Sequence, residues 1–200
     1  MSLPRRALRA ATVLLLPLLA LGLWLGWLQA TGNLAEVVPG AVYRSNQPDA
    51  EELSDYVRRL GIRTVVNLRG AAPGESWYEI EKATARDLGI TLIDFPLSSA
   101  RDLTETQMDD LVALLKTTKT PVLIHCRSGS NRTGLAAAAY LAFVAGADPG
   151  VAERQISLRF GHVWLPFGLE TEAMDRSFAE MLERFGPRGS DPVEGSGSAP

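Results

Sequence analysis

The stretch HCRSGSNRTG, His125 to Gly134, holds the only cysteine among 200 residues. Arg132 follows Cys126 after five residues, RSGSN, which are small and turn-tolerant. Upstream, PVLIHC reads as a short, continuously apolar strand, and downstream TGLAAAAYLAFVAG reads as a helix. These neighbours put the loop at the carboxyl end of a central strand and the amino end of a helix. There an open α/β sheet binds ligands, and free amides face whatever sits in the loop. A loop of this composition curls into an anion-binding nest. A thiolate held in it beside a guanidinium is itself a stabilised anion, with a pKa lowered from about 8.5 to roughly 3.5–7.5, so Cys126 becomes a nucleophile at neutral pH. Arg132 offers a planar fork that matches two phosphoryl oxygens. The chemistry indicated is displacement at phosphorus. A buried inert thiol with an unrelated surface arginine is the bland alternative. It requires His125, Gly129, the Thr133-Gly134 pair and the strand-to-helix context to coincide by chance.

The elements that must carry this loop alternate along the chain. AVYRS (Ala41 to Ser45), TVVNL (Thr64 to Leu68) and ITLIDF (Ile90 to Phe95) read as strands. Helices are predicted over Asp49 to Leu60 and Ser76 to Leu88, from Thr104, where Thr104 and Gln107 have capping-box spacing, after Asp148-Pro149, and over Leu169 to Phe185. Repeated βα units imply an α/β fold, a central mainly parallel sheet flanked by helices.

The ends differ from this pattern. An uncharged apolar run from Ala10 to Leu28, 19 residues, follows Arg5, Arg6 and Arg9, and at about 1.5 Å per residue it approaches the roughly 30 Å of a bilayer core. Residues 1–30 are therefore expected to be an N-terminal transmembrane helix, or a signal segment cleaved to release a secreted domain. The charge asymmetry places the catalytic domain on the extracytoplasmic side. Residues 31–40 read as a linker, 41–185 as the catalytic domain and 186–200, rich in Gly, Ser and Pro, as a disordered tail. Of 20 basic residues three stand in the N-terminal segment, leaving 17 against 23 acidic ones. Such a balance makes no case for nucleic-acid binding. One cysteine cannot form an intrachain disulfide, and with only two histidines a cysteine/histidine zinc site is not available, so neither metal nor cofactor is expected. The oligomeric state is not legible.

The His-Cys-x5-Arg-Thr loop, with YRSNQP (Tyr43 to Pro48), GIRTVVNLRG (Gly61 to Gly70) and DFPLSS (Asp94 to Ser99), resembles the atypical dual-specificity branch of the cysteine-dependent protein-tyrosine-phosphatase superfamily over roughly Gly40 to Phe185. That resemblance implies a dual-specificity-phosphatase-like domain hydrolysing phosphate monoesters of a phosphorylated protein or small molecule through a cysteinyl-phosphate. By the same likeness Cys126 attacks phosphorus and Arg132 clamps its oxygens. The amides of Arg127, Ser128, Gly129, Ser130, Asn131 and Arg132 cradle those oxygens, and the Thr133 hydroxyl helps the thiolate leave. The family draws its general acid from an aspartate after the preceding strand. Here the position directly analogous holds Ser99, and the candidates are Asp102 first and Asp94 second.

Other polar residues carry weaker signals. Arg44 and Arg69 are expected at the sheet edge that bears the loop, as binders of further phosphates or as ordinary surface charge. His125 is expected to point away from phosphate and bond to backbone, and His162 to be a satisfied, partly buried histidine. Alternative substrates of the same mechanism are inositol phosphates, pyrophosphates and lipid phosphates. A phosphate-binding pseudoenzyme and a rhodanese-like sulfurtransferase are the competing classes, the latter opposed by Arg132-Thr133-Gly134.

Overall fold

The computed structural model describes residues 5–163 and 172–186. One five-stranded mixed sheet runs in the order β1-β2-β5-β3-β4, with β1 at Ala35–Val38, β2 at Val42–Ser45, β3 at Thr64–Asn67, β4 at Thr91–Asp94 and β5 at Val122–His125. Strands β2, β5, β3 and β4 are parallel, and β1 pairs antiparallel with β2. Every residue of β2, β3 and β5 is buried, which is why these strands are continuous in the sequence instead of alternating. Their register places Ser45, His125, Asn67 and Asp94 in one row at the carboxyl ends. All the loops that make the site start from this row.

Helices cover both faces. Helix α2 (Ala50–Leu60) is opened by a capping box, in which Asp49 accepts from the Glu51 and Glu52 amides while Glu52 accepts from that of Asp49. Its Leu53 and Tyr56 pack with Tyr43, Val65 and Leu123 on one face of the sheet. Helix α3 (Ser76–Asp87) precedes β4, and α4 (Glu105–Thr117) opens on Thr104 with the Gln107 capping box that the spacing predicts. On the second face, Val42, Val66 and Ile124 pack with α4, α5 (Asn131–Phe143) and α7 (Ala173–Phe185). Ala136 to Ala139 of α5 are fully buried. With no side chain beyond Cβ, they let the helix lie close on the sheet, and so bring its amino end to the cysteine that ends β5. The short α6 (Pro149–Glu153) is capped by Asp148.

Two expectations are corrected. Residues 31–40 are not a linker, because β1 lies within them and extends the sheet by one antiparallel edge strand. The reading of residues 1–30 as a transmembrane anchor also falls. Helix α1 spans Arg5–Ala30, yet among the described residues no helix is long and apolar enough to cross a membrane. Its last turns belong to the domain. Trp24 Nε1 donates to Leu158 O (3.0 Å), Leu28 is buried, and Gln29 Nε2 donates to Ser128 O (3.1 Å). The membrane as a partner and the extracytoplasmic placement rested on that span and go with it. The start of the last predicted helix, 169–171, and the tail from 187 onward lie outside the described residues.

The turn after β3 is packed tightly. Gly70 has φ +79, and a Cβ there would meet Pro96 Cβ at 2.6 Å and Pro96 Cα at 3.2 Å. A proline ring on fixed backbone cannot swing aside. Gly70→Ala is expected to destabilise the protein by at least about 1–2 kcal/mol through the left-handed conformation alone. Urea unfolding checks this, and an unchanged midpoint would contradict the Gly70–Pro96 contact.

Candidate active site

The loop after β5 is described best by where its carbonyls go, because every peptide group must be satisfied. Arg127 O accepts from the Gln47 amide (3.3 Å). Ser128 O accepts from Gln29 Nε2 (3.1 Å) and Asn33 Nδ2 (3.0 Å). Gly129 O accepts from Arg44 Nη2 at 2.6 Å, and Ser130 O accepts from the Gly134 amide at 2.7 Å. With the carbonyls held from outside, the amides converge inward, and those of Gly129 and Thr133 reach the Cys126 sulfur. Gly129 is required at φ +71, where a Cβ would lie 2.6 Å from Ser45 O and 2.7 Å from the Asn46 amide nitrogen. The loop therefore rests directly on the end of β2.

Arg44 is the centre of this support and is fully buried. Its Nη1 donates to Gln155 O (2.7 Å) and Gln155 Oε1 (2.8 Å), and its guanidinium lies 3.8 Å over the Phe160 ring. Burial pushes its pKa down to about 9, opposed by attraction to Cys126. It remains a cation at neutral pH. The expectation that Arg44 binds a further phosphate is corrected, since the side chain is fully buried, with Nη2 on loop carbonyls and Nη1 on Gln155, although its buried Nε has no partner. Gly134 serves the same clamp: a Cβ there would sit 2.8 Å from Gln155 O and push that partner off Arg44.

Cys126 is buried, with 2% of its surface exposed. Burial alone raises a thiol pKa. Here the Thr133 hydroxyl, the charge of Arg132 and the amides of Thr133 and Gly129 overcome that effect, and the net direction is down. Thr133 Oγ1 is buried without a hydrogen-bond partner, and its hydroxyl is one of the groups that lower the pKa of Cys126. Arg132 is anchored along one edge, Nη1 donating to Leu68 O (3.3 Å) and Leu97 O (3.2 Å), while its Nε is buried and unpaired. That leaves Nε as a charged donor for an oxyanion.

Around the nucleophile the remaining groups separate clearly. His125 is fully buried. Its Nδ1 lies 3.4 Å from Cys126 O, and its Nε2 lies 2.7 Å from Glu81 Oε1, off the line of a good hydrogen bond. Arg69 is half-buried, stacked 3.3 Å over Trp77 and donating to Gln47 Oε1 (2.9 Å). Its pKa is lowered by burial first and then by repulsion from Arg132 and Arg127. Arg132 and Arg127 thus both act on Arg69 through their charge. Asp94 has both oxygens engaged, one by Asn67 Nδ2 (2.8 Å) and one by the Tyr78 hydroxyl (2.6 Å). That bond, with burial second, pushes Tyr78 up to about 12. Asp102 is exposed, pairs with Arg176 at 2.9 Å, and lines a cavity of about 710 Å³ with Pro96, Leu97, Ser98 and Arg101. His162 is buried between Asn131 and Asp175.

Sequence reasoning missed Gln29, Asn33, Gln47, Gln155 and Glu81. Asn33 carries the strongest signal of these: it follows Gly32, adopts φ +46, and uses its amide on both Ser128 O and Phe160 O. A Gly-Asn pair announces a turn. What the turn holds is tertiary.

Comparison with known proteins agrees with this geometry. A family model described as "Swiss Army Knife protein, DSP-PTPase phosphatase domain" matches residues 31–176. The dual specificity protein phosphatase TpbA of Pseudomonas aeruginosa is 29% identical over 156 residues, 76% of this chain and 64% of that protein. The inositol diphosphatase DSP4 of Arabidopsis thaliana is 28% identical over 103 residues, 49% of this chain and 50% of that protein. The chain thus spans half to just under two thirds of these relatives. The crystal structure of P. aeruginosa TpbA aligns with a TM-score of 0.57 at 23% identity, covering 79% of this chain and 93% of that one.

The electrostatics of Cys126 make a direct prediction. Thr133→Val keeps the shape of the side chain and removes its hydroxyl, so the thiol pKa should rise toward the ordinary thiol value. The thiolate is then fully formed only at higher pH than in the unmodified protein. Thiolate absorbance at 240 nm, taken as the difference from Cys126→Ser, follows this single thiol. Superimposable titrations would contradict the role given to the Thr133 hydroxyl.

Proposed function

This chain belongs to the DSP-PTPase phosphatase domain family, and on that footing we propose that it hydrolyses phosphate monoesters through a cysteinyl-phosphate formed on Cys126. The observation that carries this reading is a buried thiol whose pKa is pulled down inside a loop with outward carbonyls, beside an arginine with an unpaired Nε. In the first step Cys126 Sγ attacks phosphorus and the bond to the leaving oxygen breaks. Charge spreading over the three equatorial oxygens is met by the amides from Arg127 to Arg132 and by the Arg132 guanidinium, preorganised donors that need no rearrangement as the reaction proceeds. In the second step water attacks phosphorus, the S–P bond breaks, and the Thr133 hydroxyl stabilises the departing thiolate.

Asp102 is the acid that protonates the leaving oxygen. Asp94 is less suited, because Asn67 and Tyr78 hold its oxygens in partly buried bonds, whereas both oxygens of Asp102 accept from an exposed Arg176. Asp102 lines the cavity that includes Leu97, whose carbonyl holds Arg132. Its pair with Arg176 is exposed, and such a pair is worth under about 1 kcal/mol. It can therefore be exchanged for a substrate at little cost.

The first substrate class is phosphorylated protein side chains, in line with the name of TpbA. A second class, inositol phosphates or pyrophosphates, is favoured by one observation: the pKa of Arg69, lowered by burial first, is lowered further by Arg132 and Arg127 nearby. Arg69 and Arg127 offer charge beyond what one phosphoryl group engages, and DSP4 is named an inositol diphosphatase.

The full chain should release phosphate from a nitrophenyl ester in the presence of EDTA, because the charge stabilisation comes from amides and Arg132. Release that needs added metal, or that survives Cys126→Ser, would sink the mechanism. Arg132→Lys should lower kcat by roughly 10²-fold or more, an ammonium being unable to make the bidentate contact. If Asp102 is the acid, Asp102→Asn should slow alkyl phosphates by about 10²–10⁴-fold and the nitrophenyl ester far less. The opposite pattern, with the selective loss in Asp94→Asn, would move the role to Asp94.

A further inference from the structure

His162 lies outside the chemistry described above, yet it touches the phosphate loop. Its ring is 7% exposed and is set by a tight turn. The His162 amide bonds Ser157 O (3.1 Å), and Gly161 stands at φ +83 with a Cβ position 3.9 Å from Ser130 Oγ. Nε2 faces Asp175 Oδ2 of α7 at 2.9 Å, and Nδ1 faces Asn131 Oδ1 at 3.1 Å. The same Asn131 oxygen accepts from Ser130 Oγ at 2.9 Å. Ser130 and Asn131 are the last two residues before Arg132.

Both atoms that face the ring are acceptors. A neutral imidazole has one N–H and can satisfy only one of them, whereas the imidazolium satisfies both. We infer that Asp175, His162 and Asn131 form a brace that grips the phosphate loop when His162 is doubly protonated and slackens when the ring loses its Nδ1 proton. On that loss the proton goes to solvent, and the Nδ1 lone pair is left against the oxygen of Asn131. The amide turns over to present Nδ2, and the Ser130 hydroxyl must then change from donor to acceptor toward it. The rearrangement falls where the loop enters α5, at the two amides next to Arg132, so it acts on how firmly the loop holds an anion. His162 is in this sense a positioning residue, acting through Asn131.

The charged groups on the elements around the ring belong to this balance. Asp175 lies on α7, with Glu172 before it and Arg176 after it, and these two are paired at 3.6 Å. Arg159 lies in the turn preceding His162, and Arg44 lies on β2 against Phe160. The loop itself contributes Arg132 and the Cys126 thiolate. An anion bound in the loop favours the imidazolium, and by linkage the imidazolium favours the anion.

The inference rests on the loop being an oxyanion site but not on turnover, so it is tested by binding. Sulfate is the probe, because its charge does not change between pH 5 and 9. The chain has two histidines, so imidazole ¹⁵N resonances of the full-length protein are assignable with His162→Gln as reference. Both nitrogens of His162 should be protonated where sulfate binds well. Saturating sulfate should move the His162 titration to higher pH, and sulfate affinity measured by calorimetry should fall about tenfold as His162 deprotonates. In His162→Gln that step should vanish while the change due to Cys126 ionisation remains. Asp175→Asn, which keeps the ring and removes its carboxylate, should move the step to lower pH. An identical affinity step in both variants, or a His162 titration indifferent to sulfate, would overturn the brace. Failure of sulfate to bind at any pH would overturn the oxyanion site itself, and with it the proposed function.

Discussion

The position of one buried cation governs the rest of the structure. Arg44 has no exposed surface, and taking a guanidinium out of water costs several kcal/mol. Its Nη1 and Nη2 donors meet Gly129 O, Gln155 O and Gln155 Oε1 at 2.6–2.8 Å, its Nε stays unpaired, and a ring face lies 3.8 Å away. Hydrogen bonds to a charged group are worth about 1.5–3 kcal/mol each, so three short ones are of the size needed to offset the desolvation. The attraction to Cys126 adds to them. The result is a fixed positive charge beneath the loop that both holds its carbonyls outward and favours the thiolate. A methionine in its place would leave Gly129 O without a partner, and the loop would have to turn inward to satisfy it.

The neighbouring elements follow from this requirement. Gly134 is bare because Gln155 must approach Arg44, and Gly129 is bare because the loop must lie on Ser45 and Asn46. The alanines of α5 place the helix end at the cysteine, and the shared register of the four parallel strands brings Ser45, His125, Asn67 and Asp94 to one level. The carboxyl end of α1 closes the rim. Gln29 and Asn33 both donate to Ser128 O, and Asn46 Nδ2 returns a bond to Gln29 O. A helix that looks independent in the sequence is therefore part of the loop's support.

What the sequence disclosed and what it hid have the same physical origin. Strand β5, the loop and α5 were legible because a continuous apolar run, a Gly/Ser-rich turn and an alanine-rich helix are local patterns, and the Cys126–Arg132 spacing lies within one loop. The capping boxes of α2 and α4, Asp49 with Glu52 and Thr104 with Gln107, are local patterns of the same kind. Arg44 was visible as a residue but not as a buried one, since nothing local distinguishes a strand arginine facing water from one that meets Gln155, 111 residues away. The roles of Asn33 and Glu81 depend likewise on contacts across the fold. The apolar content of α1 gave a span-like signal, while its docking through Trp24, Leu28 and Gln29 is set by partners more than 90 residues distant. Between Asp94 and Asp102 the sequence offered two carboxylates on one segment. The structure distinguishes them by their partners, Tyr78 and Asn67 for the first and exposed Arg176 for the second.

The central claim is a covalent phosphoryl group on sulfur, and the chain's single cysteine makes it unambiguous to test. The full-length protein is mixed with ³²P-labelled nitrophenyl phosphate, quenched within a turnover and digested. The account predicts label in the peptide that carries Cys126, absent from Cys126→Ser. Label on a histidine, or phosphate released at the full rate with no label on the protein, would contradict it.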